Sequence, residues 1–138
     1  MTPNQHDALI LIDLQNDFCA NGALAVKDGE QVIPLANTLM DKFQAIIATQ
    51  DWHPANHTSF ASHHVGKNPF DVMDMDYGPQ VLWPDHCVCG TKGADLHNDL
   101  NLSPIQMILR KGYNKSIDSY SAFFENDHKT TTGLDGYF

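Results

Sequence analysis

Asp51 and His53 stand two residues apart, just after an apolar run, Ala45-Ile46-Ile47-Ala48, that reads as a buried strand. On an extended backbone, residues at i and i+2 point to the same side. A carboxylate oxygen and an imidazole nitrogen so placed can share a divalent metal such as zinc, manganese or iron. Pro54 follows and stops the strand. A plainer reading of so short a motif is a strand end with a capping Asp and a solvated His. Three further residues bear on the choice. Asp13 closes the run Ala8-Leu9-Ile10-Leu11-Ile12, Lys111 follows the run Ile105–Leu109, and His86 lies in Trp83-Pro84-Asp85-His86-Cys87. A carboxylate and an ammonium at neighbouring strand ends can hold and move a proton beside a nucleophile, or can form a structural ion pair. The stiff Trp-Pro before His86 can hold its imidazole in place. Asp51, His53 and His86 would then form a facial set with coordination positions left open. The alternative for His86 is an exposed loop histidine.

These residues meet only if the strand ends share an edge. Ala8–Ile12 is continuously apolar, which suits a strand covered on both faces of a parallel sheet. Asn21–Leu24 reads as a turn and a short extended piece. Gly29–Phe43 reads as a helix, with Val32, Ile33, Ala36, Leu39, Met40 and Phe43 recurring at spacings of three and four and Pro34 early enough to be tolerated. Gln44–Thr49 is the next strand. Strand, helix and strand make a βαβ unit, so the two strands are expected to be parallel. Pro54–Ser103 shows no sustained period and reads as a long loop, a length usually associated with function. Ile105–Leu109 is the third strand, and Thr130–Phe138 could begin a helix. In an open parallel sheet the carboxyl ends of the strands lie along one edge, and ligands bind outside it.

The chain has 138 residues with 42% hydrophobic content, enough for one core. Against 17 Asp and Glu there are only 8 Lys and Arg, a net charge of −9, and no basic run exists to neutralise phosphates. Nucleic acid and anionic membrane are therefore not expected as partners. No apolar stretch approaches the roughly 18 residues of a membrane span. Met1–Asp7 lacks the positive start of a signal peptide, so a cytoplasmic protein is expected. Cys19, Cys87 and Cys89 do not look like a disulfide framework. Cys87 reads as a small packed residue and Cys89 as exposed.

Four blocks, Asp13-Leu14-Gln15-Asn16-Asp17-Phe18, Gln50–Phe60, Trp83–Cys87 and Lys111-Gly112, resemble the nicotinamidase (pyrazinamidase) branch of the isochorismatase-like cysteine hydrolases. The resemblance runs from about Ala8 to the end of the chain, with the blocks in the family's order. It implies an α/β fold, a doubly wound, mostly parallel sheet with helices on both faces. About the first half of that sheet is expected here, with residues 1–138 the N-terminal part of a single hydrolase domain. It further implies that Asp13 is the catalytic acid/base and Lys111 its partner. Asp51, His53 and His86 would bind one divalent ion, zinc first and iron or manganese as alternatives, that holds the pyridine nitrogen of nicotinamide. Phe18 would pack on the substrate ring, and Tyr120, in Tyr120-Ser121-Ala122-Phe123, matches a pocket tyrosine. His57 and Ser59 are expected to make supporting or water contacts. The family's nucleophilic cysteine lies on a later turn, and Cys19, Cys87 and Cys89 do not match it. The implied activity is hydrolysis of nicotinamide to nicotinate and ammonia in NAD salvage, with homo-oligomerisation left open. Two other functions stay open: a hydrolase of another small amide, or a non-catalytic metal-binding protein if the chain is complete.

Overall fold

A computed structural model describes residues 3–138; Met1 and Thr2, which begin the N-terminal stretch and the domain read above, lie outside the described residues. Three parallel strands form the main sheet: β1 (Ala8–Leu11), β2 (Ala45–Asp51) and β5 (Met107–Lys111), in the order β1-β2-β5. The central strand is buried at every residue from Ile46 to Asp51, through the apolar Ile46–Ala48 and on into the polar Thr49, Gln50 and Asp51. The expected βαβ unit forms, with Ala8 to Leu11 in parallel register with Ala45 to Ala48. Two strands run further than the apolar patterns suggest. Asp51 and Lys111 lie inside β2 and β5 and are register partners. The opposite charges satisfy one another across the ladder, so the sheet continues into them.

The helix α1 covers Val32–Met40, shorter than the Gly29–Phe43 reading. Gly29–Gln31 is a 3-10 turn, and Lys42 and Phe43 close on Leu39 and Met40 through i→i+3 bonds. Pro34 falls in the first turn, where no intrahelical donor is needed. Ile33, Ala36 and Met40 are buried against Leu11, Ile46, Ala48, Leu96 and Leu100, while Val32, assigned to the apolar face, is exposed. Among the described residues α1 is the one α-helix, and it covers one face of the sheet. The other face, carrying Ile47, Ile10, Met107 and Leu109, is covered by Ala122 and Leu134 from an irregular C-terminal segment. The helix start read at Thr130–Phe138 is only a 3-10 turn, Asp135–Tyr137. Asn21–Leu24 forms turns and no strand.

The segment read as a long loop contains an antiparallel hairpin, β3 (Val72–Met75) and β4 (Gly78–Val81). It escapes a hydrophobic reading because the residue it buries is polar: Gln80 is the buried position of β4. Further bridges, His53 with Val88 and Phe60 with Trp83, tie the rest of the segment to the end of β2. No helix among the described residues is long and apolar enough to cross a membrane.

Candidate active site and metal centre

The chain leaves β1 at Asp13 in a left-handed backbone conformation (φ 51°), which turns the carboxylate back toward β2. The Asp13 N–H donates to Thr49 Oγ1 at 3.0 Å, and the Thr49 hydroxyl donates to Asp13 Oδ1 at 2.6 Å. Lys111 Nζ meets Asp13 Oδ2 at 2.8 Å. The same ammonium donates to Asp51 Oδ1 at 3.1 Å and to the Ser119 carbonyl at 2.9 Å, which uses all three of its hydrogens. The proton-handling pair expected at Asp13 and Lys111 is thus coupled to the metal motif through Lys111. Burial alone would push the Lys111 ammonium down, but the charges of Asp51 and Asp13 more than reverse this and raise it.

Asp51, His53 and His86 come together, all three buried, with one ligand atom from each within 4.8 Å of the others. Asp51 Oδ2 lies 3.1 Å from His53 Nε2 and 3.5 Å from His86 Nε2. The far nitrogens determine the tautomers. His53 Nδ1 lies 2.8 Å from the Gly112 carbonyl and His86 Nδ1 2.8 Å from the Pro84 carbonyl. A carbonyl only accepts, so both Nδ1 atoms carry hydrogen, and each Nε2 faces a carboxylate oxygen with a lone pair when its ring is neutral and with an N–H when it is protonated. Two lone pairs and an anion converging in a buried space require a positive charge among them. The donor set therefore fits a divalent cation, with each imidazole oriented by a backbone carbonyl. The protonation equilibria express the same demand. Burial opposes a charged His53 ring, but the hydrogen bond and charge of Asp51 push it up. Burial would raise Asp51, but hydrogen bonds to His53 and His86 and the charge of Lys111 hold its carboxyl well below the usual range.

Several supports carried no assigned role in the sequence reading. Gln15, fully buried, donates to the Asp51 carbonyl at 2.8 Å and accepts from the Asp51 N–H at 2.7 Å, pairing with β2 where the ladder ends. Asp17 accepts from the Cys87 N–H at 2.7 Å, holding the positive-φ turn that follows His86. The block Asp13–Phe18 thus supplies the carboxylate paired with Lys111, two backbone clamps and, in Phe18, an aromatic ring packed edgewise against His86 at 5.7 Å. Gly112, at φ 69°, lies against the site, and a Cβ there would meet His53 Cε1 at 2.5 Å and Asp51 Oδ1 at 2.9 Å. A glycine directly after a strand end signals such close approach. His57 donates from Nε2 to the Asn114 carbonyl at 2.9 Å, and its Nδ1 accepts from Ser59 at 2.7 Å. Both ring nitrogens are engaged, and the ring packs 4.4 Å from that of His53, so His57 and Ser59 support the site from behind.

A cavity of about 230 Å³ opens onto these groups. Phe18, Leu24, Trp83 and Tyr120 form its apolar walls, and Asp13, Asp51, His86 and Lys111 its polar floor. Tyr120 is fixed through its hydroxyl, which accepts from Trp83 Nε1 at 3.1 Å and Gln80 Nε2 at 2.9 Å. Asp118 and Ser119 also line it. No cysteine does: Cys19 and Cys87 are buried, and burial pushes the Cys87 thiol up. Cys89 is exposed elsewhere, as expected.

Comparison with known proteins identifies the family of the chain. The model of the isochorismatase domain matches residues 7–135. The nicotinamidase of Acinetobacter baylyi is 57% identical over 130 residues, covering 94% of this chain and 61% of that protein. Among solved structures, a nicotinamidase/pyrazinamidase of Acinetobacter baumanii superposes with a TM-score of 0.95 at 53% identity, over 97% of this chain and 65% of that one. A pyrazinamidase of Pyrococcus horikoshii solved in complex with zinc gives 0.66 at 34% identity, over 94% and 62%. The chain spans about three fifths of the length of the curated relatives it matches. With nearly its whole length matched, the chain belongs to the isochorismatase domain family.

Proposed function

We propose that these residues form the metal-holding, proton-handling and ring-binding side of a nicotinamidase, which hydrolyses nicotinamide to nicotinate and ammonia and so serves NAD salvage. One observation carries this reading. The Asp13–Lys111 pair, at 2.8 Å, and the Asp51, His53, His86 set open into one cavity of about 230 Å³ walled by Phe18 and Tyr120. That volume is below the usual range for larger ligands and suits a single aromatic ring. Asp51, His53 and His86 would hold the divalent ion, zinc by analogy with the Pyrococcus pyrazinamidase and with iron or manganese as alternatives. When bound, the ion supplies a Lewis acid for a pyridine nitrogen. Phe18 and Tyr120 flank the ring and present its carboxamide to Asp13.

In this reading Asp13 takes the proton of the family's cysteine thiol, and Lys111 holds the carboxylate in position by charge. The thiolate adds to the carboxamide carbon, the C–N bond breaks, and Asp13 returns the proton to departing ammonia. Water then cleaves the thioester to nicotinate. The test is ammonia release from nicotinamide by the natural gene product, with its intact mass measured alongside. A mass above 15.4 kDa with rapid, nicotinamide-selective ammonia release is the expected result. Equal turnover of unrelated small amides would favour another amidase. A mass of 15.4 kDa with metal bound but no turnover would favour a metal-binding protein.

A further inference from the structure

Asp118 stands at the same centre without a role in the reading above. Its side chain is 3% exposed, and its Oδ1 lies 3.9 Å from His53 Nε2, the nitrogen that faces Asp51. Two neutral donors hold the carboxylate: the Ser119 N–H reaches Oδ1 at 2.8 Å and Gln80 Nε2 reaches Oδ2 at 2.9 Å. Gln80 is buried, and its Oε1 accepts from Asn126 at 3.1 Å, so it is anchored at both ends of its amide. Lys111 does not serve Asp118, because its hydrogens go to Asp13, Asp51 and the Ser119 carbonyl. A buried carboxylate without a cation is costly. Around the cavity, Asp13, Asp51 and Asp118 face one lysine. Two negative charges are left over, which is the charge of one divalent ion.

We propose that Asp118, clamped by Gln80, is a second carboxylate of the divalent-metal centre and sets its affinity, by acting on the ion or on a water it holds. The residues Asp118 and His53 also belong to a second buried group of three metal-capable side chains, with His57. The engaged ring nitrogens of His57 leave Asp118 as that group's available contribution beside His53. The proposal rests on Asp51, His53 and His86 being metal ligands, and the experiment separates the two ideas. Zn²⁺ is partitioned between the full natural gene product and a chromophoric chelator. Asp118→Asn keeps the shape and removes the charge, and is expected to weaken Zn²⁺ binding about 10- to 100-fold. Asp99→Asn, whose carboxylate is 85% exposed, is expected to leave it unchanged. Affinity of Asp118→Asn within about twofold of the parent, with Asp51→Asn strongly weakened, overturns the role of Asp118 alone. If Asp51→Asn is also unaffected, the metal centre itself is wrong. Should Asp118→Asn fail to fold by circular dichroism, a crystal structure of the parent with Mn²⁺ decides. Asp118 bonded to the ion or to a water on it supports the proposal, and Asp118 touching neither overturns it.

Discussion

Gly112→Ala is the sharpest test of how the backbone builds this site. At φ 69° the alanine pays the left-handed strain of an L-residue, about 1–2 kcal/mol. The new Cβ also lands 2.5 Å from His53 Cε1, 2.8 Å from its Nδ1 and 2.9 Å from Asp51 Oδ1. Neither neighbour can give way easily, since His53 is bonded to the Gly112 carbonyl and Asp51 to Lys111, His53 and Gln15. Overpacking of a tight core typically costs about 1–3 kcal/mol more, so the expected destabilisation is about 2–5 kcal/mol. Gly66→Ala is the control. It has a similar φ of 75° but open space around the added Cβ, so it should lose only the backbone term. Urea unfolding of both variants measures the difference, and competition for Zn²⁺ measures the site. The Gly112 variant should bind Zn²⁺ about 10-fold or more weakly, because its His53 ring is displaced. Equal stability of the two variants, together with unchanged Zn²⁺ affinity, would refute the close approach of Gly112 to His53 and Asp51.

Other consequences are open to measurement. On the proposed function, Asp13→Ala in the natural gene product should abolish amide turnover while bound metal stays near normal, because the Asp13 carboxylate bonds Thr49 and Lys111 and not Asp51, His53 or His86; metal loss in elemental analysis would contradict this division of roles. Among Cys19, Cys87 and Cys89, thiol titration should label Cys89 fastest, because it is exposed while Cys19 and Cys87 are buried; fast labelling of Cys87 in a peptide map would contradict it. In chelator, the low folded pKa of Asp51 contributes stability that is fully present above the ordinary aspartate value of about 3.9 and is lost as pH falls through the folded value. Urea unfolding at about pH 6 and about pH 3 should therefore show a drop that is smaller in Asp51→Asn, and an equal drop would argue against the depressed carboxyl.

Much of this protein is legible in its residues alone. The apolar runs of β1, β2 and β5 announce strands, although only the central β2 is buried along almost its whole length, while the edge strand β5 leaves Ile108 exposed. Asp51-x-His53 falls on one side because the strand period is two. The spacing of Ile33, Ala36 and Met40 announces the buried face of α1. Each of these signals is local, arising from the repeat of the backbone itself. Hydrogen bonds between distant segments leave no such repeat, and they escape a one-dimensional reading. Gln15 reaches across 36 residues to Asp51, and Gln80 across 38 to Asp118. The β3–β4 hairpin buries a polar side chain and so carries no hydrophobic alternation to find. Lys111 is unambiguous as a charge, but which carboxylates share it depends on β5 lying beside β2 with Asp51 in register. The residue types therefore announce the chemistry. Their partners, tautomers and orientation come from where the folded chain returns upon itself, since a buried charge or lone pair acquires its meaning from the groups packed around it.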